Sequence, residues 1–312
     1  MVRKFLYIAC IICALGVFSA CSKDDMSGKS VIAEGTVVQN DFDKWLYANF
    51  TAPYNIAFKY KYEEIESDYD YYTVPADYEM SIKMAHLVKY PCIEAYDEVA
   101  GTVFTRSFFP KMFFLIGEWE YRNNGTFILG TAEGGKKILL TGVNDINDVL
   151  AGTYDKTRTV AEALNHYYIK TIHHEFVHIV NQTRPYSTDF KQITGSGYVA
   201  DSWSEAPYNS LEEDGNPYYL KHGFITAYSQ HSDTEDFAEM ASEYIVEPVE
   251  VWNKWMKQAG DTGAALIQMK LDIVKDYYLN TWNIDLDKMR EAVARRQNDV
   301  VNGKIDLTDI SL

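Results

Sequence analysis

Polar and apolar positions alternate over residues 55–63, where Ile56, Phe58, Tyr60 and Tyr62 share one face, the pattern of a half-buried strand. Short apolar runs at 113–116, 126–129 and 137–141 predict further strands, the last two separated by Gly130 and the Gly134-Gly135 pair. Elsewhere the period is helical. Residues 41–49 form a short amphipathic stretch, and 76–99 carries Met80, Ile82, Met84, Leu87 and Val88 at helical spacing with a predicted break at Pro91. Over about 160–181, Ile169, Ile172, Phe176, Ile179 and Val180 gather on one face, and Pro185 lies shortly beyond the end. A long turn-rich segment, 181–233, follows, with Pro185, Gly195, Gly197, Pro207, Gly215 and Pro217 along it. Loops of that length usually carry function or small helices of their own. From 234 onward the pattern is helical again, at 235–246, 249–257, 263–280 and 285–298. Strands, then one long helix, then an all-helical region predict an α+β fold in two lobes, an α/β lobe to about residue 181 and a helical lobe after it, with a cleft between them.

The face of the 160–181 helix opposite its apolar stripe carries His174-Glu175-x-x-His178. Residues i and i+4 lie one turn apart on the same side of a helix. Two imidazoles so placed can reach one zinc ion at about 2.0–2.1 Å, while the intervening glutamate sits beside the water that the ion carries. His173 lies well around the helix from this pair and reads as a packing residue. His166, His222 and His231 lack ligand spacing.

A third ligand must come from elsewhere. The metzincin pattern would need glycine three residues after His178 and histidine six after it; Asn181 and Arg184 stand there. A later glutamate is the other common solution, and Glu205, Glu212, Glu213, Glu235, Glu239 and Glu243 are available. Glu235 and Glu239 are best placed, sharing one face of a helix that Ser232, Asp233 or Thr234 can cap. One carboxylate can then ligate while the other, a turn away, orients a ligand imidazole through its free N–H.

The run Tyr228-x6-Glu235-Asp236-Phe237-Ala238-Glu239 resembles the Tyr…Glu-x-Phe-Ala-Glu signature of gluzincin peptidases similar to anthrax lethal factor and the clostridial proline-proline endopeptidases. That resemblance implies Glu235 as the third zinc ligand, Tyr228 as a donor to the transition state and a zincin-like fold. The chain also resembles a family of zinc-binding metallopeptidase lipoproteins of Bacteroidetes-type bacteria, known as substrate-import-associated zinc metallohydrolases. The likeness runs through Trp45-Leu46-Tyr47, Pro53-Tyr54-Asn55-Ile56, Tyr96-Asp97-Glu98-Val99-Ala100-Gly101, residues 130–137, the HExxH helix and Gly223-Phe224-Ile225-Thr226-Ala227-Tyr228. It implies a zinc-dependent peptidase associated with nutrient import. In zincins a sheet edge above the cleft commonly pairs with extended substrate; the strand at 137–141, just before the motif helix, is the candidate edge.

The N-terminus reads as an address. Arg3 and Lys4 precede an apolar run, 5–18, too short for a membrane span, then Ser19-Ala20-Cys21. This predicts a signal peptide over 1–20 and lipid on Cys21, followed by a polar tether over 21–40 and the catalytic domain over 41–312. Phe18, three before the cysteine, is an unusual residue for such a site. Lys23-Asp24-Asp25 resembles the surface-export signal of Bacteroidetes lipoproteins, so the expected location is the outer membrane, facing outward. Cys10 and Cys13 leave with the signal, so Cys92 remains alone, which excludes an internal disulfide and a cysteine-rich zinc site. Loss of Arg3 and Lys4 takes the formal charge from −16 to −18. Such a chain does not offer the basic patches that nucleic acid requires.

The expected chemistry is peptide hydrolysis at one zinc ion held by His174, His178 and Glu235. Glu175 is the expected base, Tyr228 the oxyanion donor and Glu239 the residue behind a ligand. The expected partners are a peptide or protein substrate and components of an outer-membrane nutrient importer, with membrane contact only through the lipid. Two other readings fit the same residues: a peptide- or glycan-binding lipoprotein, and a zinc hydrolase of non-peptide bonds.

Overall fold

The apolar runs do form strands, but they are shorter and differently ordered than their pattern predicts. The computed structural model describes residues 39–66, 71, 73–122, 126–133 and 136–312. The signal segment, Cys21, Lys23-Asp24-Asp25 and nearly all of the tether lie outside the described residues. One four-stranded sheet has the order β1 (Ala57–Lys59), β2 (Met112–Leu115), β6 (Lys137–Leu140), β5 (Gly130–Glu133). The first three are parallel, with Phe58 opposite Phe113 and Phe113 opposite Ile138. Only β5 runs antiparallel, with Gly130 opposite Leu140. Two residues each of β3 (Glu120–Tyr121) and β4 (Phe127–Ile128) make a separate ribbon.

The expected edge at 137–141 is therefore corrected. β6 is paired on both sides, and the edges are β5 and β1, β5 being the one beside β6. The alternation over 55–63 likewise yields only three residues of ladder, because Ala57–Lys59 is as far as β2 runs beside it. Phe113, Phe114 and Leu115 are buried consecutively, as expected of a parallel strand covered on both faces.

Parallel strands require crossovers. Between β1 and β2 the chain forms α2 (Tyr78–Val88), α3 (Glu94–Val99) and α4 (Thr102–Phe108), after a first helix α1 (Asp41–Leu46) capped reciprocally by Asn40 and Asp43. Pro91 does not break the helical run: the five residues Lys89–Ile93 widen into a π turn between α2 and α3. Cys92, inside that turn, is fully buried, and burial pushes its thiol pKa up, consistent with a core residue.

After β6 come α5 (Ile146–Leu150), α6 (Val160–Leu164), a π turn at Asn165–Ile169 and the motif helix α7 (Lys170–Thr183). The helical C-terminal part consists of α8 (Asp233–Val246), α9 (Val249–Trp282) and α10 (Leu286–Val301). α9 bends at Gly260, whose φ of 66° lies in the left-handed region. α8 packs along both α7 and α10, and one large hydrophobic core runs through residues 40–312, with Phe114, Ile116 and Leu139 forming a small second cluster. Among the described residues no helix is long and apolar enough to cross a membrane.

Candidate metal centre

Helix α7 is entered through α6, whose start is fixed by a capping box: Thr159 Oγ1 accepts from the Glu162 amide, and the Glu162 carboxylate accepts from the Thr159 amide at 2.8 Å. The apolar stripe then docks as its period predicts, with Ile169, Ile172, Phe176, Ile179 and Val180 all buried. His173 is also buried, its Nδ1 3.2 Å from the Tyr96 hydroxyl, on the far side from the cleft. His174, Glu175 and His178 line the cleft instead.

Helix α8 starts at Ser232, whose hydroxyl accepts from the Glu235 amide at 3.3 Å. This start aims Glu235 at the two histidines. Its Oε2 lies 3.0 Å from His174 Nε2 and 3.2 Å from His178 Nε2, and the two nitrogens are 3.1 Å apart. Donors bound tetrahedrally to one zinc at about 2.0–2.1 Å lie about 3.3 Å from one another. Two imidazoles and one carboxylate at these separations fit zinc in both geometry and ligand chemistry. Among the described residues this is the one group of three or more such ligands that could hold a metal.

The surroundings favour positive charge there. Burial opposes a proton on His174, but hydrogen bonds to Glu235 and Glu239 outweigh it and lift its pKa to about 10. Burial also opposes ionisation of Glu235, yet the two imidazoles hold it well below the usual carboxylate range. Glu239 Oε1 lies 2.8 Å from His174 Nδ1 and 2.6 Å from Lys170 Nζ, and its Oε2 accepts from Thr226 Oγ1 at 2.8 Å. Glu239 thus stands behind a candidate ligand, and Lys170 keeps it ionised against its burial.

Tyr228 sits in a one-turn helix, Tyr228–Gln230, at the end of the long loop. Its ring lies 6.2 Å from that of His174, with Trp203 edge-on to it at 5.0 Å. Its hydroxyl makes no hydrogen bond to the described residues. The loop is pinned from below: Asp236 accepts from Tyr198 Oη at 2.9 Å and from Lys270 Nζ at 2.5 Å, and Lys270 also donates to the Gly223 carbonyl at 2.9 Å. Of the other glutamates considered as ligands, Glu243 lines the cleft beyond Glu239, and Glu212 pairs with Lys221 at 2.6 Å.

The cleft, about 1450 Å³, runs from the ribbon and β5 past the metal centre to the far end of α8. Gly130, in β5, approaches α7 so closely that a Cβ there would lie 2.7 Å from the Thr171 methyl and 2.7 Å from the Leu139 carbonyl oxygen. Sequence reasoning passed over Lys170 and Glu247 and weighed Glu243 only as a zinc ligand; all three line this cleft. A signal for the glutamates was present: those at 235, 239, 243 and 247 recur every four residues along α8 and its C-cap without a basic residue among them.

No protein of curated function matches the chain. A crystal structure described as a putative zinc-binding metallo-peptidase from Bacteroides caccae superposes with a TM-score of 0.69 at 36% identity, over 87% of this chain and 96% of that one. The profile of the Peptidase_Mx1 family, described as "putative zinc-binding metallo-peptidase", matches residues 35–287. The chain belongs to this zinc-binding metallopeptidase family.

Proposed function

We propose that the protein is a zinc-dependent peptidase of the cell surface. The observation that carries the activity is Glu175: a purely structural zinc site needs no base, yet this carboxylate stands in the cleft between the two motif histidines. Zinc held by His174, His178 and Glu235 would supply a water of lowered pKa and polarise a carbonyl oxygen. Glu175 takes the proton of the attacking water and returns it to the departing amine. Tyr228 offers its hydroxyl to the oxygen on which negative charge develops. The outer edge of β5, paired only through β6 among the described residues, lines the cleft and can receive an extended peptide by strand addition.

Lipid on Cys21 and the Lys23-Asp24-Asp25 run support anchoring at the outer membrane with the domain facing out, where peptides destined for an importer would be met. Cys21→Ala should abolish lipid labelling and membrane fractionation.

Glu175→Gln preserves size but cannot accept a proton. The zinc-loaded variant should keep its metal and fold while losing nearly all cleavage of a peptide library read by mass spectrometry. If wild type cleaves nothing that Glu175→Gln does not, the peptidase reading fails.

A further inference from the structure

Two rows of ionisable side chains border the floor of the cleft. One, stepping by four residues, is His166, Lys170, His174 and His178; the other, along α8 and its C-cap, is Glu235, Glu239, Glu243 and Glu247. Near the metal centre each glutamate has close partners in the other row, Glu235 in both motif histidines and Glu239 in His174 and Lys170. Farther along, this pairing thins. Lys170 reaches Glu243 only at 3.7 Å, having its closer contact with Glu239. His166 is half-buried and neutral, since desolvation and then the neighbouring Arg158 and Lys170 lower its pKa to about 3. Arg158 is paired with Asp155.

Glu247 is left over. The residue is 7% exposed, and its carboxylate has no hydrogen bond or ion pair with the described residues, although its backbone carbonyl accepts from Arg290. A carboxylate so buried is normally paired. It lines the cleft. Among the described residues no third carboxylate or imidazole stands within ligand distance of the Glu243–Glu247 pair.

We propose that this end of the cleft is a specificity subsite for a positively charged substrate side chain, lysine or arginine, held between Glu243 and Glu247. At 1.5 Å of rise per residue the two carboxylates are anchored about 12 and 18 Å along α8 from Glu235. A peptide whose scissile bond lies at the metal centre can thus direct a long side chain toward Glu243. Lys170, Arg158 and Arg290 act on Glu247 without forming an ion pair with it, and the ammonium or guanidinium supplies that close partner. A side chain that is long, apolar along its stem and charged only at its tip suits a channel whose acidic groups lie at its end. The proposal rests on the peptidase reading only for the position of the peptide.

Its test separates the two. The zinc-loaded Glu175→Gln protein serves as a receptor that binds without cleaving. Its probes are two pools of acetylated and amidated hexapeptides, identical except that one carries lysine where the other carries neutral N-acetyl-lysine. The lysine pool should bind about 10- to 100-fold more tightly. Adding Glu243→Gln and Glu247→Gln should erase most of that difference while zinc content and circular dichroism stay unchanged. If the double substitution does not fold, Glu247→Gln alone should lower the lysine preference severalfold. Equal binding of the two pools, or a preference that survives the substitutions, overturns the proposal. So does tight binding of a third pool with a free N-terminus and no lysine or arginine, which would make the ligand an α-ammonium. Lysine-selective binding without turnover by wild type would retain the subsite and sink the peptidase reading. Cleavage without lysine or arginine preference would do the reverse.

Discussion

Glu239 Oε1 lies 2.8 Å from Nδ1 of His174, so the imidazole is held from behind while its Nε2 faces Glu235 and His178. One buried carboxylate therefore stands where it can orient the ring and leave Nε2 free to ligate.

Replacing Glu239 by Gln should weaken zinc binding by about 10- to 100-fold without abolishing it. Competition against a chelator of known affinity checks this. His174→Ala, His178→Ala and Glu235→Ala should each remove most of the metal. Full zinc content in Glu235→Ala would eliminate that residue as a ligand.

The Tyr228→Phe substitution keeps the ring against Trp203 and His174 and deletes only the hydroxyl. Turnover should fall by roughly 10- to 1000-fold with little change in KM, the signature of a contact made in the transition state. Full activity would reduce Tyr228 to a wall of the cleft.

Lys270 and Asp236 form an ion pair with no exposure on either side chain. Lys270→Met leaves the carboxylate buried without its cation and should cost about 3–5 kcal/mol, read from the denaturant midpoint. Adding Asp236→Asn should recover part of the loss, because the buried charge goes with it. Since Lys270 also holds the Gly223 carbonyl, the single variant should loosen the loop that carries Tyr228.

Glu243 and Glu247 make stability depend on pH. Burial, assisted by neighbouring charges, pushes Glu247 up to about 7 and Glu243 up to about 8, both above the ordinary 4.5. Glu247 is acted on by Glu162, Lys170, Arg158 and Arg290, and Glu243 by Lys170, Glu239, Glu247 and His174. Because the folded pKa values are the higher ones, the folded state binds more protons than the unfolded one between about pH 4.5 and 8, and stability declines as pH rises through that window. Glu247→Gln should therefore stabilise the protein relative to wild type at pH 8, on the order of 2 kcal/mol, with the gain vanishing near pH 4. Melting curves at the two pH values decide it; an equal difference at both would show that Glu247 titrates normally.

The ligand pair is legible in the sequence because its geometry is local. Four residues on a helix return a side chain to the same face, and the apolar stripe of α7 shows which face turns away from solvent. The cap at Ser232 is equally local, a hydroxyl three residues ahead of the amide it accepts from. The π turn around Pro91 and the bend at Gly260 are less readable, since a helical pattern does not say whether an irregular residue ends a helix or is absorbed into it.

Which strand forms the edge was decided by tertiary structure. β5 is four residues starting at Gly130, with no run of apolar side chains to announce it, and its place beside the cleft depends on β6 inserting next to β2. The carboxylates beyond the metal centre belong to the same class. Sequence determined that glutamates recur every fourth residue on α8, a pattern that an exposed acidic face shares. Only the packing of α8 against α7 buried that face and set Glu239 against Lys170 while leaving Glu247 without a partner. Periodicity specifies the direction in which a side chain points from its own helix; what it meets there is set by contacts between segments far apart in the chain.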